Sequence, residues 1–137
     1  MTKLRPYLQL DGNCREVMEF YHSVLGGELT MQTHGEAFPD TPEDMRDKII
    51  HSMIETDSFG LMASDIHPMY CPPHVAGNNV QLCLVGTDRE KLEGMFSKLA
   101  EGGEVTMPLE KQFWGDVFGS LTDRFGIHWM INIAEAD

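Results

Sequence analysis

The densest run of metal-ligating side chains is HPMYCPPH, where His67, Cys71 and His74 follow a His-x3-Cys-x2-His spacing. Imidazole and thiolate suit zinc, but the run has neither a fourth ligand nor a helix or hairpin to orient it, so a Pro-rich crossover with incidental polar residues is expected. His51 sits mid-strand in IIHSMI. Its imidazole is a candidate general base, a hydrogen-bond partner for a ligand, or a core group satisfied by backbone. His128 alternates with Ile127 and Ile131 and is a second polar candidate on the face those isoleucines leave free. His22 and His34 read as helix-surface and loop residues with solvated rings.

Trp114, Asp116 and Phe118 share one strand parity, which would set two aromatic walls beside a carboxylate. Met53, Met62, Met107, Met130 and Trp129 add apolar surface; ten methionines in all give side chains that fill irregular cores and conform equally well to varied ligands. Cys14 follows a helix cap and Cys83 lies mid-strand in QLCLV, with no base or cation placed beside either, so small buried apolar roles are expected. The acids Glu36, Asp40, Glu43, Asp44 and Asp47 lack the ordered spacing and turn glycine of a calcium loop and read as a solvated acidic segment.

These residues must be positioned by elements, and the elements are duplicated. GGELTM at Gly26–Met31 returns as GGEVTM at Gly102–Met107, and TDSFG at Thr56–Gly60 returns in the same order as TDRFG at Thr122–Gly126. Thirty positions separate Gly26 from Thr56 but only twenty separate Gly102 from Thr122. The first copy therefore carries an insertion, and His34–Asp47, rich in acid and proline without apolar period, reads as that surface loop.

The apolar periods predict a strand over Pro6–Leu10 and a DGN turn capping a helix with the stripe Val17, Phe20, Tyr21, Val24 and Leu25. A stop at Gly26–Gly27 follows, then strands through Leu29 and Met31, over Ile49–Glu55 and over Leu61–Ser64. The second copy repeats the order: Val80–Val85, a helix capped near Thr87 or Asp88 and carrying Leu92, Met95, Phe96 and Leu99, then Val105–Leu109, Trp114–Leu121 and Ile127–Ile133. The predicted class is α+β, one domain over 1–137 built of two tandem βαβββ modules, 4–65 and 79–134, joined by a linker over 66–78. One such unit covers one sheet face with its helix and leaves the other bare. Two combined would make a cupped, partly closed eight-stranded mixed barrel with a small-molecule site at its mouth.

Composition narrows the function classes. Ten Lys and Arg against 22 Asp and Glu give a formal charge of −12, which opposes binding to nucleic-acid phosphates or an anionic membrane. No run approaches the roughly 18 apolar residues of a membrane span, and MTKLRPYLQL lacks the apolar core and cleavage site of a secretion signal, so a cytoplasmic location is expected. Three cysteines without a CxxC pair point to free thiols.

The stretches PYLQLDGNCREVMEFYHSVLGGE, IIHSMI, LMASD and MPLEKQFWGDVFGSLTDRFGIHWMIN, with the duplicated layout, resemble the vicinal oxygen chelate superfamily, and within it the PhnB-like branch. The resemblance implies the paired-module barrel, a small-molecule partner and a homodimer, with the modules pairing within a chain or across two. It leaves the chemistry open, because glyoxalases, dioxygenases, thiol transferases and pure binding proteins share the scaffold. In metal-dependent relatives His or Glu projects into the cup from the first and last strand of each module. Those places here are Pro6, Ser64, Asn79 and Met130, which supply no imidazole, carboxylate or thiolate, so no metal and no other cofactor are expected. The expected pocket comprises Leu8, Leu10, His51, Met53 and Met62, with Ser64, Trp114, Phe118, His128 and Met130. A metal-free binder of a small apolar or mixed organic ligand is the leading expectation. The alternative is a lyase, isomerase or metal-dependent dioxygenase using His51. Some relatives of this branch carry a methyltransferase label, but neither GGE segment begins a helix after a strand, as a phosphate- or nucleoside-binding glycine turn would.

Overall fold

A computed structural model describes residues 1–135. The chain divides into two compact units between Val75 and Ala76, and each contains one four-stranded mixed sheet.

The first module runs β1 (Tyr7–Leu10), α1 (Cys14–Leu25), β2 (Glu28–Thr33), a short α2 (His34–Ala37), β3 (Ile49–Glu55) and β4 (Gly60–Asp65), with sheet order β1-β4-β3-β2. β1 pairs parallel with β4, and the other two pairings are antiparallel. Val17, Met18, Tyr21, Val24 and Leu25 recur at helical spacing and are buried, and they pack α1 on one sheet face. That face shows Leu61 and Ala63 of β4 opposite Ile54 and Ser52 of β3, all four at most 3% exposed. The expected stripe is correct except that Phe20 is only half-buried while Cys14 and Met18 are fully buried.

The cap of α1 comes from elsewhere than the DGN turn. Asn13 occupies the cap position without a side-chain cap bond, and the Cys14 amide instead donates to the carboxylate of Asp65 at 2.9 Å. The other oxygen of Asp65 accepts the Ile49 amide at 2.9 Å, so one buried carboxylate joins β4, β3 and the positive end of the helix.

Each GGE has a stereochemical cause. Gly26 and Gly102 take φ of +73° and +74°, which side chains with a Cβ rarely adopt. A Cβ on Gly27 would overlap the Glu55 carbonyl oxygen, and one on Gly103 the Thr122 carbonyl oxygen. The glycine pairs therefore end helices and let the next strand start hard against its neighbour.

The insertion is more ordered than a solvated loop. Thr33 and Glu36 form a reciprocal capping box, with the Glu36 amide donating to Thr33 Oγ1 at 3.1 Å and the Thr33 amide to Glu36 Oε1 at 3.0 Å. The Thr33 amide and then its hydroxyl hold the Glu36 carboxyl below its ordinary pKa. Backbone bonds from His34 to Lys48 and from Gly35 to Arg46 tie both ends of the segment together. Its acids Asp40, Glu43, Asp44 and Asp47 are exposed.

The second module runs β5 (Leu82–Gly86), α3 (Arg89–Ala100), β6 (Glu104–Lys111), β7 (Val117–Thr122) and β8 (His128–Ile133), in the order β5-β8-β7-β6. Asp88 caps α3 by accepting the Lys91 amide at 3.2 Å, and Leu92, Phe96 and Leu99 are buried. Gly119 of β7 lies under the helix, where an added Cβ would stand 3.0 Å from the Phe96 ring. Trp114 is not in a strand: Gln112–Asp116 form the β6–β7 turn, with Gly115 at φ +100°, and β7 begins only at Val117.

The repeated TDxFG closes two different turns. In the first module Thr56 Oγ1 accepts the Ser58 and Phe59 amides; in the second, Asp123 accepts the Phe125 and Ile127 amides on one oxygen and the Trp129 indole N–H on the other. Both modules nonetheless keep the βαβββ order, giving the α+β architecture expected from the duplication.

Candidate functional site

Strand parity decides which side chains face away from the helices. In the first module the buried face includes Ala63 and Asp65, and β1 pairs Leu8 with Ala63 and Leu10 with Asp65. Leu8 and Leu10 therefore belong with the core beneath α1, and Leu10 is 4% exposed. This corrects their expected pocket place by one strand position, which is enough to reverse a side chain. Tyr7, Met62, Met53, His51 and Ser64 lie on the opposite, uncovered face. The His51 ring stands 6.1 Å from that of Tyr7 and makes no side-chain hydrogen bond among the described residues.

β3 carries a bulge near its start: Gln32 pairs with His51 and Thr33 with Ile49, leaving Ile50 as an extra residue. Two β3 residues then oppose one of β2, so Ile49 is fully buried while Ile50 turns toward a cavity. This cavity, of about 630 Å³, lies wholly within the first module. Ile50 and Ser64 form its sheet side; Phe38, Pro39 and Pro42 come from the insertion, and Met69 and Tyr70 from the segment after β4. Two imidazoles line it: His34 is 6% exposed, His67 is 8% exposed, and their ring centroids are 5.3 Å apart.

The burial of His34 overturns the solvated reading. Thr33-x-x-Glu36 is a capping box and marks a helix start in the sequence, but the direction His34 faces is set by the packing of that helix on β3 and β4. Its Nε2 lies 3.4 Å from the Asp65 carbonyl oxygen. The His67 ring sits between His34 and Tyr70, 4.8 Å from the latter, and its Nδ1 accepts the Met69 amide at 3.1 Å.

Cys71 and His67 close a tight turn together: the His67 amide donates to Cys71 Sγ at 3.4 Å, and the Cys71 amide to the His67 carbonyl at 2.9 Å. His74 is exposed in coil. Among the described residues no group of three or more His, Cys, Asp and Glu is placed to hold a metal ion. Of the four positions that the resemblance implied for metal donors, Ser64 and Met130 lie on the faces away from the helices, whereas Pro6 and Asn79 precede β1 and β5; none of the four side chains supplies an imidazole, carboxylate or thiolate.

In the second module Trp129, Ile131, Gly119 and Leu121 are buried on the helix side, and Phe118, Ser120, Thr122, His128, Met130 and Asn132 occupy the uncovered face. His128 Nδ1 lies 2.9 Å from the Thr122 hydroxyl, Asn132 donates to Asp116 at 2.8 Å, and the Trp114 ring meets Phe118 edge-on at 5.9 Å. Trp114 and Phe118 thus come together, but through the turn and not through strand alternation. Cys83, expected to be buried, is exposed; it pairs with Met130 on the uncovered face. Cys14 is buried 3.5 Å from the Ser52 hydroxyl, and burial pushes its thiol up to about 11.

Comparison with known proteins gives concordant matches across the chain. The crystal structure of protein PA1353 from Pseudomonas aeruginosa is 42% identical, covers 99% of this chain and 100% of its own, and superposes with a TM-score of 0.88. The PhnB protein from Bacillus cereus, 24% identical over 97% of this chain and 100% of its own, shares the fold with a TM-score of 0.77. Protein YjdN of Escherichia coli is 28% identical over 96% of this chain and 95% of its own length. A family model described as the Glyoxalase/Bleomycin resistance protein/Dioxygenase superfamily matches residues 3–131.

Proposed function

Because the chain belongs to the glyoxalase/bleomycin resistance protein/dioxygenase superfamily, we propose that it is a PhnB-like member that binds a small apolar or mixed organic ligand without a metal. The observation that carries this reading is the cavity of about 630 Å³ in the first module, within the 300–1,000 Å³ usual for small-molecule sites, where apolar and aromatic Phe38, Ile50, Met69 and Tyr70 stand among the polar side chains of His34, Asp40, Thr41, Ser64, Asp65 and His67. The uncovered sheet faces, with Met53, Met62, His51 and Ser64 in one module and Trp114, Phe118, His128 and Met130 in the other, are proposed as further ligand-facing surface. A homodimer and a cytoplasmic location complete the proposal. The homodimer rests on family membership, and three free thiols support a reducing compartment.

The test is a thermal-shift screen of diverse small organics on purified, metal-replete protein, paired with elemental analysis. Saturable stabilisation, no stoichiometric divalent metal and no turnover are expected. Stoichiometric metal with turnover abolished in His51→Ala would replace this reading with a lyase, isomerase or dioxygenase.

A further inference from the structure

The chemistry of the cavity wall narrows what it accepts. Phe38, Met69 and Tyr70 are 59%, 74% and 79% exposed, a cluster of large apolar side chains standing around an opening and not packed into the core. Covering them is favourable for any occupant with flat apolar surface, and ring faces favour another ring at stacking distance.

At depth several of the polar groups already have partners. A backbone N–H only donates, so the Met69 amide on His67 Nδ1 requires a lone pair there and places the neutral ring's proton on Nε2. A carbonyl only accepts, so His34 must donate its Nε2 proton to Asp65. The Asp65 carboxylate is taken by two backbone amides, and the Thr41 hydroxyl donates to the carbonyls of His34 and Phe38. His67 Nε2–H is left as a fixed donor with no partner among the described residues, while the His34 bond leaves a lone pair on His34 Nδ1 and the Ser64 hydroxyl makes no side-chain hydrogen bond among the described residues. The formal charge of −12, with Asp40 in the wall and Glu36, Glu43, Asp44 and Asp47 on the same insertion, opposes an anionic group reaching that donor.

We infer that this cavity takes a flat aromatic or heteroaromatic molecule bearing an uncharged hydrogen-bond acceptor, the acceptor binding His67 Nε2–H and the ring lying against Phe38 and Tyr70. The inference rests on the reading that the protein binds a small molecule, and names the class of molecule.

The test is amide-resolved NMR titration of the full chain with 1-indanone, indane, 1-aminoindane, indane-1-carboxylate and the saturated hydrocarbon octahydroindene. The expected result is that 1-indanone perturbs the amides of Ser64, His67, Met69, Tyr70 and Cys71 and binds about fivefold or more tightly than indane, the advantage one net hydrogen bond supplies. The carboxylate should bind more weakly than the ketone, and binding of the ammonium, which the acidic wall attracts but which offers no acceptor to His67 Nε2–H, should be indifferent to His67→Phe. His67→Phe, which keeps a ring but removes the donor, should erase the preference of 1-indanone over indane. If that variant unfolds, Tyr70→Ala at the exposed mouth keeps the test open: it should weaken both aromatic probes with an unchanged melting temperature. Equal binding of indane and 1-indanone, or tighter binding of the carboxylate than of the ketone, overturns the inference. Binding of octahydroindene in preference to the aromatic probes overturns it while leaving the small-molecule reading intact. No perturbation of these amides by any probe overturns both.

Discussion

Asp65 and Cys14 show how one buried polar pair does structural work that their residue types alone do not announce. The carboxylate accepts from the Cys14 amide, and the Cys14 thiol meets Ser52. Burial is the main reason the thiol rises from 9.0 to about 11; the Ser52 bond opposes the shift and the Asp65 charge adds to it. In native protein at pH 8, mass spectrometry after alkylation should find Cys83 and Cys71 modified well before Cys14. Equal labelling of all three would refute the burial. The linkage has a definite sign. A raised folded pKa means the fold favours the neutral thiol, so this contribution is whole below pH 9 and declines as pH climbs through about 11. The urea midpoint should therefore fall between pH 9 and 11 more steeply in the wild type than in Cys14→Ala. Periodicity places Cys14 at the start of a helix; the carboxylate that caps it, fifty-one positions away, is settled only by tertiary packing.

The glycine pairs are the clearest case of sequence and element agreeing. Their recurrence is legible because the same local constraint acts twice: Gly27 sits against the Glu55 carbonyl and Gly103 against the Thr122 carbonyl. Backbone cannot yield as a flexible side-chain tip can, so Gly27→Ala and Gly103→Ala should each cost about 2 kcal/mol or more by chemical denaturation. Gly94→Ala serves as the control, since nothing lies within 4 Å of its added Cβ, and a helical Gly-to-Ala change should stabilise by up to about 1 kcal/mol. Equal effects at all three positions would remove the close-approach explanation. The other repeated motif encodes the turn but not its capping residue. TDSFG and TDRFG mark the β3–β4 and β7–β8 turns, yet Thr56 caps one and Asp123 the other, because β8 starts two positions later relative to its pentapeptide than β4 does. The bulge at Ile50 and the outward turn of Trp114 likewise depend on pairing partners that no local pattern encodes.

At the scale of the whole chain, the duplication and the α+β class were legible because each rests on short-range stereochemistry repeated twice. The candidate site was legible only in part: the uncovered faces follow from parity, whereas the cavity required an insertion and a linker, two segments without apolar period, to fold beside β3 and β4. Charge acts on every element at once. The formal charge is −12, and among the described residues the ion pairs that offset it include the part-buried Arg5–Glu55 at 2.6 Å and the exposed Arg89–Glu93 at 2.7 Å and Arg124–Glu101 at 3.9 Å. Exposed pairs contribute typically under about 1 kcal/mol each, and salt weakens them together with the repulsion. The repulsion involves many more charges, and the Debye length contracts from about 30 Å at 0.01 M salt to about 8 Å at 0.15 M, below the separation of most like charges on a domain this size. Screening should therefore win, raising the melting temperature between 10 mM and 150 mM NaCl by about 3–5 °C, equivalent to about 1 kcal/mol. Scanning calorimetry at fixed pH 7 decides the matter, with a chain in which three exposed acids of the insertion, Asp40, Glu43 and Asp44, are changed to Asn or Gln as the comparison. That variant starts nearer neutrality and should show a smaller salt response. A flat or falling melting temperature in the wild type would mean that the few ion pairs outweigh the excess of like charge.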